Sequence, residues 1–387
     1  PLKTPPRCRS SAMDLSHCYL HTLGEAEAQK LAELRARLPE VVGKAKADSE
    51  DARALPRQSI WGVAVEEQSE ASDIVLLKFL RAEEQSVDKA AARVAATLVF
   101  RADCHIDELA KAELPEHFQG HDVIGGTDKD GRPLMISRFG GMDLQKVFGD
   151  VEAFVRYRAQ LMERAIALLS FKKGDPEDLC QIHDYSGVPL IFQTSEVKRG
   201  VTAVTKVFSE HYPEFKGKTI FVNFPAAFSK LFQAFSVLIP ERTRKKFLIL
   251  GEDDQATLFQ HICPEAVPEA IGGMLRESGG LSGPCQVVDV KSAEEVTLLE
   301  VADGATVLWE LRVCAREIAY EVVFVPAGGG EEEVIRKTAA KEYLQASQGI
   351  VAGEWTAKAA GAVKCRFRNE CAWFKWRLCL CRAQAKP

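Results

Sequence analysis

The sequence predicts an α/β fold, preceded by a small all-α subdomain and followed by an all-β sandwich. Three observations carry that expectation. Apolar residues recur at helical spacing in residues 25–38 and again within residues 72–118. Strand-like runs then alternate with helix-like stretches between residues 119 and 278. Short runs rich in β-branched residues follow a Gly/Ser/Pro break at residues 279–284. A hydrophobic period of about 3.6 marks a helix buried on one face, and alternation marks a half-buried strand. At 387 residues the chain is long enough for two proper cores.

Residues 1–22 are rich in Pro and basic residues, show no periodicity, and read as a disordered tail. Residues 25–38 support a helix through Ala28, Leu31, Leu34 and Leu38, stopped by Pro39, and the polar stretch up to about Ser69 reads as linker. Segment 23–71 is therefore helix and linker. Residues 72–118 form a helical hairpin whose second arm sets Val87, Ala91, Val94 and Leu98 on one face. Within 119–278, strands are expected at 134–138, 179–184, 218–224 and 246–251, with helices near 151–173, 195–210 and 226–239. That alternation argues a mainly parallel sheet with helices over one face. The closely spaced strands of 285–384 argue a sandwich.

A 46% apolar and 27% charged composition is that of a globular protein. The net charge of −5 excludes a globally basic nucleic-acid binder, so partners must be sought in local patches. No apolar run approaches the ~20 residues of a membrane span, and no apolar signal core stands near the start. A cytosolic protein, peripheral at membranes, is expected. Its eleven cysteines then read as reduced thiols. Cys365, Cys371, Cys379 and Cys381 are spaced by six, eight and two, which does not match zinc-ligand pairs, so they read as strand-packing residues, with Cys379 and Cys381 on one face.

No catalytic constellation emerges, and neither metal nor cofactor is expected. His183 and Asp184 are adjacent on an expected strand and so point to opposite faces. The TDKDG run resembles part of a calcium loop, but Ser137 stands where the bidentate glutamate should be, and a hairpin turn is the better reading. The glycine clusters lack a phosphate-loop lysine.

Five motifs occur in a telling order: FLRA at Phe79 to Ala82 within a helical piece, GTDKDGRPLMISRFG from Gly126, HYPEFKGKTIFVNFP from His211, the strand beginning at Lys246, and EAVPEAIGG ending at Gly273. Together they resemble the CRAL-TRIO lipid-binding family over roughly residues 72–274. Three later segments, VLWELRV, AYEVVFV and FRNECAWFKWRLCLCR, resemble the GOLD domain of patellins and supernatant-protein-factor proteins. Where that domain usually reads aspartate-asparagine-serine, this chain has Arg368, Asn369 and Glu370.

The resemblance implies a cavity for a hydrophobic lipid. Burying a sixteen-carbon chain is worth on the order of 13 kcal/mol at about 0.8 kcal/mol per methylene, so a protein able to open and sheathe one gains a strong ligand. The stretch 226–239 corresponds to the family's mobile gate, with Phe228, Leu231, Phe232, Phe235 and Leu238 on its apolar face; an ordinary core helix is the alternative. Lys246, Glu214 and Thr243 fall at headgroup positions, where a cation can meet phosphate and a carboxylate or hydroxyl can meet inositol hydroxyls. Glu83 stands where the family carries a headgroup-binding arginine. Leu179 and Gln181 replace the hydroxyl residues that contact choline. The expected ligand is thus a phosphoinositide or a less polar lipid.

A second contact is expected at the C-terminus. Lys364, Arg366 and Arg368 alternate on one strand, and Trp373 and Trp376 follow, an arrangement suited to an anionic membrane surface or a protein partner. A solvated strand is the alternative. Two functions follow: lipid transfer or presentation at membranes, or a vesicle-trafficking adaptor that senses lipid and recruits proteins through the GOLD-like domain.

Overall fold

The computed structural model describes residues 19–55, 57–188, 195–224, 245–251, 254–277, 279–370 and 376–386. The gate stretch with Phe228, Leu231, Phe232, Phe235 and Leu238, as well as Thr243, Cys371 and Trp373, lies outside them.

The helical region begins with α1 (Glu25–Ala36), α2 (Leu38–Asp48) and α3 (Glu50–Ala54). Pro39 does not stop a helix here; it stands in the first turn of α2, where its missing N–H costs no hydrogen bond. The stretch read as linker is instead helical and buries Val41, Val42, Ala45 and Ala52. Ala28 is exposed, whereas Leu31, Leu34 and Leu38 are buried. A short ribbon of β1 (Ser59–Ile60) and β2 (Val63–Ala64) leads to α4 (Glu70–Ala82) and α5 (Val87–Asp103). Ser69 opens α4 with a capping box to Ser72. From Ile74 to Arg81 every residue of α4 is buried, which demands partners for its two cations. Arg81 pairs with Glu177 at 2.6 Å. Lys78 Nζ donates to the carbonyls of Glu177 at 2.5 Å and Glu214 at 3.1 Å. As expected, Ala91, Val94 and Leu98 of α5 face the core.

After the single turn α6 (Ile106–Leu109) comes a five-stranded sheet in the order β3-β4-β5-β6-β7. Its strands are β3 (Asp122–Thr127), β4 (Pro133–Arg138), β5 (Leu179–Asp184), β6 (Lys216–Val222) and β7 (Phe247–Ile249). β4 runs parallel to β5, and β6 parallel to β7, as the alternating pattern implies. The TDKDG run is the turn between β3 and β4, where Gly131 takes φ +83°, a conformation that disfavours any side chain. Asp143 and Asp150 cap α7 (Leu144–Gly149) and α8 (Val151–Ile166), and α9 (Ser195–His211) precedes β6.

Packing divides the chain into two units, one built on residues up to 249 and the other on 127–129, 222–224 and 250 onward. The division falls well before the Gly/Ser/Pro break. Residues 269–276 explain why: Arg312 donates to the carbonyls of Glu269 at 3.0 Å and Gly273 at 2.7 Å, Arg382 donates to Met274 O at 3.0 Å, and Arg276 reaches Glu310 at 3.1 Å. The segment containing α10 (Gln255–His261) therefore packs as part of the second unit.

That unit is otherwise all β. Its strands are β8 (Gln286–Val290), β9 (Ala293–Val301), β10 (Thr306–Val313), β11 (Glu317–Pro326), β12 (Glu333–Lys337), β13 (Leu344–Gln345), β14 (Val351–Thr356), β15 (Gly361–Arg368) and β16 (Arg377–Ala385). One antiparallel sheet runs β14-β10-β16-β8 and the other β12-β11-β15-β9, with β13 beside β11. Both contribute to one core holding Trp309, Leu311, Val322, Val363 and Phe367. Gly353 lies directly over Trp309, 2.3 Å from the ring for any added Cβ, so the indole fits only above a glycine. Cys365, Cys379 and Cys381 are wholly buried strand residues in the same core.

Candidate functional site

Strand register decides which side chains share a face, because residues opposite one another in neighbouring strands project to the same side. Ser137 faces His183 and Met135 faces Gln181 across β4 and β5; Thr219 faces Phe247 and Phe221 faces Ile249 across β6 and β7. The His183 and Phe221 rings lie 5.4 Å apart, which joins the two sets into one surface. His183 also stacks on Phe139 at 5.7 Å, Tyr185 stands 5.4 Å from Phe139, and Phe221 meets Phe247 at 5.9 Å. The rings form a continuous, half-buried aromatic floor toward the carboxyl ends of the strands, where ligands of open α/β sheets are received.

Three polar atoms interrupt this floor. Gln181 Nε2, His183 Nδ1 and Thr219 Oγ1 are buried without a hydrogen-bond partner among the described residues. Such orphans cost on the order of 1–3 kcal/mol each unless a ligand satisfies them. Burial first, then the charges of Arg158 and Lys216, push the His183 pKa down to about 3, so the ring is neutral at pH 7. Burial pushes Tyr185 up to about 12. The floor is therefore uncharged but able to hydrogen-bond. Asp184 lies on the other side of β5 and accepts from Ser186, as the adjacency of His183 and Asp184 predicts.

At one margin, α8 brings Arg158 to the Ser137 hydroxyl at 2.9 Å and to within 3.8 Å of Asp122, which also accepts from Tyr157. At the amino ends of β6 and β7 the expected headgroup residues meet: Lys246 Nζ stands 4.0 Å from Glu214 Oε2, and Lys246 O accepts from the Thr219 amide at 2.8 Å. Glu214 adopts φ +58°, and the Lys78 bond to its carbonyl helps hold that turn.

Two of the positions singled out in the sequence have charged partners in the structure. Glu83 accepts from Arg93 Nη1 at 2.6 Å. The C-terminal cations are largely neutralised. Lys364 and Arg366 both bind Glu295, Arg366 also binds Glu332 at 2.7 Å, and Arg368 lies 3.4 Å from Glu321. Those acids come from strands paired to β15 and from the approach to β12, so only cross-strand register reveals them. Trp376 is exposed, with Lys291 Nζ 5.3 Å from its ring centroid. The orphaned polar face was also missed, since Gln181 and Thr219 look like ordinary strand residues until the register is known.

Comparison with known proteins agrees with this architecture. The family model described as CRAL/TRIO domain matches residues 117–273. Patellin-6 of Arabidopsis thaliana is 28% identical over 91% of this chain and 86% of its own length. Patellin-5 of the same plant is 31% identical over 86% of this chain but only 51% of its own length. The phosphatidylinositol transfer protein SFH5 of Cryptococcus neoformans is 30% identical over 64% of this chain and 87% of its own. A crystal structure of Sfh5 superposes with a TM-score of 0.57 at 23% identity, covering 66% of this chain and 89% of that one, a likeness of fold.

Proposed function

Because this chain belongs to the CRAL/TRIO domain family, we propose that it binds a lipid against the aromatic floor of its central sheet and transfers or presents that lipid at membranes. The observation that carries the reading is the pairing of half-buried rings with orphaned polar atoms on one face. Apolar chains gain by covering the rings, and a polar group of the ligand meets Gln181, His183 or Thr219. The relative named a phosphatidylinositol transfer protein supports a phospholipid as one ligand, with Lys246, Glu214 and Thr243 at the headgroup. Phe228, Leu231, Phe232, Phe235 and Leu238 form the proposed gate. No chemical reaction and no cofactor enter this function, and the site of action is the cytoplasm and the membranes facing it.

The β unit is proposed to be the GOLD-like domain that docks the protein. Charge balance along Lys364, Arg366 and Arg368 favours a protein surface of matching charge pattern over simple attraction to an anionic bilayer. Transfer is tested by movement of labelled phosphatidylinositol between donor and acceptor liposomes with no other protein present. Transfer above the spontaneous rate is the expected result. Loading without transfer would favour the adaptor.

A further inference from the structure

The segment ahead of α1 is fastened to the helical region: Leu20 and Leu23 pack against its core, and the Thr22 amide donates to Tyr19 O at 2.9 Å. Tyr19 is half-buried, and the Arg81 guanidinium lies over its ring, 4.2 Å from the centroid. The same guanidinium pairs with Glu177 at 2.6 Å, and those two side chains are only 1% and 5% exposed. Earlier on α4, Lys78 joins the carbonyl of Glu177 to the carbonyl of Glu214, whose carboxylate stands 4.0 Å from Lys246. A continuous chain of contacts therefore runs from Tyr19 to the rim. Burial, opposed by the Arg81 charge and reinforced by Asp178, Glu214 and Glu177, holds the Tyr19 phenol above its usual range, so the ring meets Arg81 uncharged. Asp178 is itself taken up by Arg132 at 2.8 Å.

We propose that Tyr19 is a positioning residue for the lipid headgroup: its ring keeps water off the Arg81–Glu177 pair and so fixes the turn that sets Glu214 against Lys246. The proposal rests on the reading that Lys246 and Glu214 receive the headgroup, and adds a residue that acts on them through others. A buried ion pair holds its geometry only while it stays desolvated and well bonded. An aromatic ring against a guanidinium supplies cover and attraction together, and the attraction is strongest where water is excluded. Without the ring, water reaches Arg81, Glu177 loosens, and its carbonyl no longer anchors Lys78. Glu214 sits at φ +58°, a conformation that persists in a residue with a side chain only when its surroundings enforce it, so it relaxes once Lys78 is less firmly held.

The test is binding of the full chain and of Tyr19→Phe, Tyr19→Leu and Tyr19→Ala to liposomes of phosphatidylcholine with and without phosphatidylinositol. The wild type is expected to prefer the liposomes that contain phosphatidylinositol. Tyr19→Phe keeps the ring and retains that preference within about twofold. Tyr19→Ala lowers it about fivefold or more while binding to phosphatidylcholine alone is unchanged, which also shows that the variant is folded. Tyr19→Leu, gentler on the packing, lowers it in the same direction and carries the test if Tyr19→Ala binds neither surface. In a Lys246→Ala background, Tyr19→Ala changes the preference by less than about twofold, because the contact it sets is already gone. An unchanged preference in Tyr19→Leu and Tyr19→Ala overturns the proposal, as do equal losses of Tyr19→Leu on the two surfaces or an undiminished effect in the Lys246→Ala background. If the preference is lost in Lys246→Ala but kept in the Tyr19 variants, only the role of Tyr19 fails. If the wild type shows no preference, the headgroup reading fails with it.

Discussion

Glu83 Oε1 accepts a hydrogen bond from Arg93 Nη1 at 2.6 Å, and the same guanidinium donates to the carbonyl of Glu210 at 2.8 Å. The last residues of α4 are thereby tied, through α5, to the end of α9. The pair is 24% and 17% exposed, between the surface and buried regimes, and reversing one charge sets two guanidinium groups together. Glu83→Arg is expected to cost roughly 1–3 kcal/mol in urea denaturation, and adding Arg93→Glu to recover most of it. The single substitution is also expected not to tighten phosphoinositide binding. A stable variant with raised affinity would return Glu83 to the rim.

Lys78 is wholly buried and bonds two backbone carbonyls, with the Phe215 ring 4.2 Å from its ammonium. Lys78→Met keeps the stem but removes the ammonium's hydrogen bonds to both carbonyls, a loss of roughly 1–3 kcal/mol each. The midpoint of chemical unfolding should fall accordingly. Because Glu214 loses a contact that holds its positive φ, phosphoinositide binding should weaken as well. Lost stability with unchanged binding would separate Lys78 from the rim.

Lys246 is 28% exposed and its pair with Glu214 is long, so little folding energy rests on it. Lys246→Ala should unfold at nearly the wild-type midpoint. Binding to liposomes containing phosphoinositide should drop several-fold, with little change on neutral liposomes. Equal losses on both surfaces would reduce Lys246 to a surface charge.

Acid stability supplies a further check. The His183 pKa lies near 3, against 6.5 for an unburied imidazole, and burial with Arg93 lowers His211 to about 4. Between those values and 6.5 the unfolded chain binds protons that the folded one refuses, so stability falls as pH drops from about 6.5 toward 3. His183→Gln removes one of the two contributions. Its stability should decline less steeply over that window, and parallel curves would place His183 in a more polar setting than the floor.

Much of the fold was legible because it is local. The strand at Leu179–Asp184, the buried face of α5 and the turn at Gly131 follow from periodicity and backbone chemistry. Pro39 misled because proline suits a first turn as well as a stop. The expectation of a headgroup role for Lys246 and Glu214 came from motif resemblance, and the structure brings the two side chains within 4.0 Å of each other. Non-local relations were not legible: the acids that neutralise Lys364, Arg366 and Arg368 are from 34 to 71 residues away in the chain for Glu332 and Glu295. The face shared by Gln181, His183 and Thr219 exists only once strands are in register, and the end of the first unit near residue 249 is set by arginines of the β unit, far later in sequence.

The central claim is that the aromatic floor receives lipid, and Phe221 lies in its middle, against both His183 and Phe247. A carboxylate there would put an unpaired charge where acyl chains must lie. The measurement is mass spectrometry of lipid retained by the full chain and by Phe221→Asp after identical purification, with circular dichroism as the check on folding. The account predicts close to one lipid per wild-type molecule and loss of most of it in the folded variant. A wild type that carries no lipid and takes up none from liposomes, or a folded variant as well loaded as the wild type, would contradict it.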